Sequence, residues 1–140
     1  MCNRYGYNAP HHRLREIFGE LNLPFRWPEA APNLAPLEEI RPTDPAPVIR
    51  PYEDGVRLDQ LRWGFAPPKP KAGPVINFRS ENRRFTLLTC DPGPEIAALH
   101  DRQVVILEPA DWKEWLTADV PRPELLRPLP AGRIAVAQAS

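Results

Sequence analysis

An α+β fold is what the sequence predicts, on three observations. Apolar residues recur at helical spacing in a few short stretches and in alternating or short continuous runs elsewhere. The two kinds of segment do not alternate regularly, which argues against a wound parallel sheet. Proline makes up 20 of the 140 residues, clustered between Pro24 and Pro51 and between Pro67 and Pro74; long helices and central strands cannot form there.

Each element follows from its local pattern. Residues 11 to 22 put Leu14, Ile17, Phe18 and Leu21 on one helical face, with Asn22 and Pro24 to stop the helix. Residues 46–50 and 56–64 flank the turn signal Glu53-Asp54-Gly55 and read as a hairpin. Val75 to Phe78 and Phe85 to Thr89 are strand candidates, and Pro94 to Leu99 suits a short helix. Val104 to Leu107 is a continuous apolar run, expected as a buried strand. Pro109 to Leu116 reads as a helix with its proline in the first turn. Pro121 to Arg127 adds a short turn of helix, and Arg133 to Val136 a last strand. Trp27, Leu37, Ile40, Val48 and Ile49, set among the prolines, indicate extended chain wrapped on a core.

The length suits one domain, 1–140, large enough to bury a core. Lys plus Arg equals Asp plus Glu at 18 each, so net charge by itself assigns neither nucleic acid nor membrane as a partner. Arg outnumbers Lys, and its planar fork is the better donor to phosphates and carboxylates. Cys2 and Cys90 make no disulfide framework, and three histidines in no zinc spacing give no metal site. No cofactor is expected. No apolar run approaches the length of a membrane span, so a soluble cytoplasmic protein with no membrane partner is expected.

The chain opens Met1-Cys2-Asn3-Arg4-Tyr5. Removal of Met1 gives Cys2 an α-amine beside its thiol, groups that titrate near ~8 and ~8.5. Such a 1,2-aminothiol attacks an aldehyde through nitrogen to form a Schiff base. Sulfur then closes a thiazolidine on the same carbon.

Five blocks in order resemble the SOS-response-associated peptidase (SRAP) family. They are Met1 to Tyr5; Arg41 to Arg50; Leu61-Arg62-Trp63-Gly64-Phe65; Asn77-Phe78-Arg79-Ser80-Glu81; and Leu99 to Leu107 followed by Pro109 to Leu116. The resemblance implies a curved mixed or antiparallel sheet with flanking short helices. It implies recognition of abasic sites in single-stranded DNA, with covalent capture through Cys2 after autoproteolytic loss of Met1, as part of the DNA damage response. The protein would then be cytoplasmic and bacterial in type, and nucleoid-associated when bound to DNA. Position by position, Cys2 matches the nucleophile, Asn77 the amide beside the cysteine amine, and His100 the histidine implicated in proton transfer to the opened sugar. Arg4, Arg79 and Arg102 match phosphate contacts, and Trp63, Gly64 and Phe65, with Pro67 and Pro68, match the apolar edge on which bases stack. Blander readings stand beside these: Asn77 as a turn cap, His100 as a helix-end residue, the arginines paired with Glu81 or Asp101, and Trp63 as plain core.

The chain departs from the family after about residue 85. Arg84-Phe85 runs straight into Thr86-Leu87-Leu88-Thr89, without the family block that carries the catalytic glutamate and central strands. The expected domain is therefore shortened in its middle. Glu114 is assigned to a helix surface rather than to the lost carboxylate. A second reading follows: a catalytically impaired remnant that binds single-stranded DNA only. A third, an amidohydrolase with an N-terminal nucleophile, has Cys2 alone behind it. Exposed edges of a shortened sheet would favour oligomers.

Overall fold

The computed structural model describes residues 4–8, 10–27, 36–64 and 84–137, apart from the side chain of His11. Cys2, Phe65, Pro67, Pro68, Asn77, Arg79, Glu81 and the expected strand Val75 to Phe78 lie outside the described residues.

The class is α+β. Strands β1 (Tyr5–Tyr7), β2 (Phe25–Arg26), β3 (Leu37–Ile40), β4 (Pro45–Tyr52), β5 (Gly55–Trp63), β6 (Arg84–Phe85), β7 (Thr89–Cys90) and β8 (Gln103–Val104) join helices α1 (His11–Glu20), α2 (Pro94–Ala97) and α3 (Pro109–Thr117). They form three small open sheets of mixed sense: β1 with β3, β7 with β8, and a central sheet built on β5.

The hairpin of β4 and β5 is the backbone of the fold. The ladder runs without a break from Pro45 opposite Arg62 to Tyr52 opposite Gly55. Pro45, Pro47 and Pro51 sit at alternate positions of β4, so their missing N–H groups all fall on the edge away from β5. That edge is poor in donors and ill-suited to pairing with another strand. On its other side β5 has a parallel neighbour at each end, β2 beside Val56 and Arg57, and β6 beside Arg62 and Trp63. Gly55 is required at the turn because the Pro24 carbonyl, which accepts the Val56 N–H at 2.9 Å, occupies the space a Cβ would take.

Side chains alternate across β5, and both faces are covered. Val56 packs with Leu14, Phe18 and Leu23, joined by Ile49, Trp112 and Leu116, so one face carries α1 and α3. Leu14 and Phe18 are one helical turn apart and therefore meet the sheet together. The Asn22 backbone adopts φ 54, the left-handed conformation that ends helices, two residues past α1. On the opposite face Trp63, Ala46 and Ile40 form a second cluster with Tyr5, Tyr7, Phe85 and Leu87. Asp59 shares this face and is 3% exposed. Arg50 Nε and Arg57 Nη2 donate to its two oxygens, at 2.5 and 2.9 Å, which is what a buried carboxylate requires.

Three expectations need correction. The apolar run at 104–107 is a strand only at Gln103–Val104, because its sole ladder partner among the described residues is the two-residue β7; the chain then turns toward α3, whose N-cap is Glu108. The stretch 85–89 divides, Phe85 pairing with β5 and Thr89 with β8. Residues 133–136 join no sheet, and Val136 is half exposed. Conversely, β1 and β3 form where no strand was expected, in the opening segment and among the prolines.

Candidate functional site

Among the described residues the candidates fall into two groups. The first gathers at the C-terminal end of β5. Trp63 is 6% exposed. The Tyr5 ring meets it edge-on at 5.3 Å and the Phe85 ring lies nearly parallel to it at 6.4 Å. Burial raises the Tyr5 phenol above its ordinary value. Register explains the contact with Phe85, since Trp63 and Phe85 are directly paired between β5 and β6. Trp63 is therefore the wall behind this end of the sheet, and a base reaches its ring face only if Tyr5 or Phe85 gives way.

Gly64 follows at φ 104, a backbone conformation that disfavours any side chain, and its N–H donates to the Phe85 carbonyl at 2.8 Å. Arg4 reaches Glu39 at 3.5 Å, and Arg41 donates to the same carboxylate at 2.7 Å. The Arg41 guanidinium, the larger influence, and Arg4 together hold the Glu39 carboxyl below the usual carboxylate range. Because β1 pairs with β3, Tyr5 lies opposite Ile40, and Arg4 and Glu39 are brought together at that end of the ladder.

The second group is the loop between α2 and β8. His100 Nδ1 lies 2.8 Å from Asp101 Oδ1 and 3.1 Å from the Arg102 backbone N. The carboxylate needs a proton on Nδ1 and the amide needs a lone pair there. The two contacts therefore alternate: Nδ1 without a hydrogen accepts from the Arg102 amide, and Nδ1 with one donates to Asp101. Either way Nδ1 is engaged by the loop itself. The Arg102 guanidinium donates from Nε to Thr89 Oγ1 at 3.0 Å and from Nη2 to the Thr89 carbonyl at 2.9 Å. This ties it across the β7–β8 pair, and its remaining donors are on an exposed side chain.

The structure brings Arg4, Trp63 and Gly64 together, and His100 with Arg102. The groups belong to different sheets, linked by residues 85–89. Within that link Phe85 and Leu87 pack on the Trp63 cluster and Thr89 holds Arg102. Three contributors were not singled out from sequence. Tyr5 and Phe85 carried an alternating apolar signal. Arg84, whose Nη1 lies 3.4 Å from the Gly64 carbonyl, carried none.

Two cavities, about 300 Å³ beside Glu108 and Arg133 and about 200 Å³ between α1 and α3, are lined by none of these residues. Among the described residues no group of three or more His, Cys, Asp or Glu is placed to hold a metal ion. No described helix is long and apolar enough to cross a membrane. Cys90 is buried, and burial first, then Asp91, raises its thiol above the ordinary value.

Residues 77–140 match a family model described as SOS response associated peptidase (SRAP). No curated protein and no solved structure matches the chain.

Proposed function

We propose, from the premise that residues 77–140 are an SRAP family segment and so tie the chain to the SOS response to DNA damage, that the chain recognises abasic sites in single-stranded DNA and captures them covalently through Cys2. The family match carries this reading, since the matched segment contains Asn77, Arg79, His100 and Arg102.

The chemistry needs no metal or cofactor. The Cys2 amine adds to the open-chain aldehyde of the abasic sugar and water leaves, giving a Schiff base. The thiol then adds across that C=N bond, its proton passing to nitrogen, and a thiazolidine results with no net oxidation. Asn77 hydrogen-bonds the amine without adding charge. His100 exchanges a proton with the sugar oxygen, its ring held in the loop by the contacts of Nδ1 with Asp101 and the Arg102 amide. Arg4, Arg79 and Arg102 contact phosphates, which orients the strand without reading its sequence. Gly64 and Phe65, backed by Trp63, form the apolar edge beside the lesion. Covalent reach supports bringing Cys2 to this edge: it lies three residue steps before Tyr5, a span of at most about 11 Å, and Tyr5 touches Trp63.

A second reading, a single-strand binder without the chemistry, is favoured by one observation. Phe85 is followed directly by Thr86-Leu87-Leu88-Thr89, without the block that carries the family glutamate. Loss of one acid/base group costs ~10²–10⁴-fold in such a step, yet an aminothiol condenses with aldehydes unaided. Intact mass spectrometry before and after incubation with abasic single-stranded DNA separates the two. Loss of Met1 with a DNA-sized adduct that disappears in Cys2→Ala is expected. Retained Met1 with no adduct would leave the binding-only reading.

A further inference from the structure

We propose that Arg62 and Arg84 form a clasp for one backbone phosphodiester of a single-stranded nucleic acid, where the start of β6 pairs with the C-terminal end of β5. Arg62 is directly paired with Arg84 in the parallel register of these strands. Paired residues on neighbouring strands stand about 4.8 Å apart and leave the same face of the sheet. Two cationic side chains therefore emerge side by side.

Their partners are the telling feature. Arg62 Nη1 donates to the Thr43 carbonyl at 3.1 Å, and Arg84 Nη1 lies 3.4 Å from the Gly64 carbonyl. Among the described residues neither guanidinium meets a carboxylate. Other arginines of this sheet and its surroundings do: Arg4 and Arg41 share Glu39, Arg26 meets Glu53 and Asp54, and Arg50 and Arg57 share Asp59. The chain has as many acids as bases, 18 of each, so acid is not in short supply. Asp44, next to Thr43 in the chain, is already engaged by the Arg41 N–H at 2.8 Å, and Glu39 by two arginines.

Like charges directly opposite in a sheet repel, and an anion between them removes the repulsion. Carbonyl anchors hold each guanidinium by one donor and leave four, in the planar fork that matches phosphate oxygens. The Arg62 side chain is exposed and the pair lines neither cavity, which suits one link of a passing polymer better than a small enclosed anion. One residue on, Trp63 and Phe85 point to the opposite face and pack in the cluster with Ile40 and Ala46, so the two guanidinium groups and the aromatic cluster lie on opposite sides of the sheet.

The inference rests on the reading of the chain as a single-strand binder, and its test is separable from that reading. Binding of the full chain to a fluorescent, undamaged oligothymidine is measured by anisotropy over a salt series, for the parent, Arg62→Gln, Arg84→Gln, the double variant and Arg133→Gln. Circular dichroism confirms that each variant folds. Because one phosphate is shared, the double variant should flatten the slope of log K against log salt by about 0.7 and weaken binding roughly tenfold. Each single variant should already show most of that loss, and Arg133→Gln none. A folded double variant with the parent's slope overturns the clasp while leaving single-strand binding intact. Displacement by micromolar inorganic phosphate would assign the site to a free anion and overturn the phosphodiester. Absence of oligonucleotide binding by the parent chain overturns the underlying reading itself.

Discussion

Replacing Trp63 with alanine tests whether the candidate site is built on a structural wall. The ring is 6% exposed and lies between Tyr5 and Phe85 in the cluster with Ile40 and Ala46. A buried tryptophan removes about 150–250 Å² from water, which at about 25 cal/mol/Å² amounts to about 4–6 kcal/mol. The extended-chain reference makes this an upper bound, and part of the area survives in alanine. The expected loss is therefore about 3–5 kcal/mol, in line with aromatic truncations in other cores. Because native domains are stable by only about 5–15 kcal/mol, the variant should be close to unfolding. Urea titration followed by circular dichroism measures the loss, and Trp63→Phe, which keeps a ring between Tyr5 and Phe85, should cost about 1–2 kcal/mol. A loss below about 1 kcal/mol in Trp63→Ala, with an unchanged m-value, would refute the placement of Trp63 in the core.

Two further outcomes follow from titratable groups. Glu95 accepts the Gly132 N–H at 2.5 Å, and this contact first of all lowers its pKa. A lowered carboxyl contributes stability that is present above its unfolded value and lost as pH falls through the folded one. Glu95→Gln should therefore melt below the parent at neutral pH and level with it well below the ordinary carboxylate range. A melting difference that is independent of pH would contradict the assignment. Burial raises the Cys90 thiol, so in the Cys2→Ala background iodoacetamide should label it at least about tenfold more slowly in the folded protein than in urea. Equal rates, read by intact mass, would show the thiol to be accessible.

Local pattern made α1, α3 and the β4–β5 hairpin legible, because each signal is complete within about a dozen residues. Leu14 and Phe18 recur at the helical period, and Glu53-Asp54-Gly55 sets the turn between alternating strands. The strands β1 and β3 were not legible. Tyr5–Tyr7 is three residues long, and Leu37–Ile40 includes two glutamates, Glu38 and Glu39; each is a strand only because the other lies beside it. The extent of β8 was misjudged for the same reason, since an apolar run continues as strand only as far as it has a partner. For the site, Cys2, Asn77 and His100 came from residue type and order. Arg84 did not, because a lone arginine among several has no signature until its register neighbour is known.

Chemical capacity is thus a property of the sequence by itself: an aminothiol once Met1 is removed, a histidine next to an aspartate, and a surplus of arginine over lysine. Tertiary structure decided which of these groups are committed elsewhere. It turned Trp63 inward, tied Arg102 to Thr89, paired Arg4 with Glu39, and set Arg62 beside Arg84 with no carboxylate against either among the described residues. The division has a physical cause. Reactivity is carried by covalent structure within one or two residues, whereas burial and charge pairing depend on contacts between segments distant in the chain, such as Arg62 and Arg84.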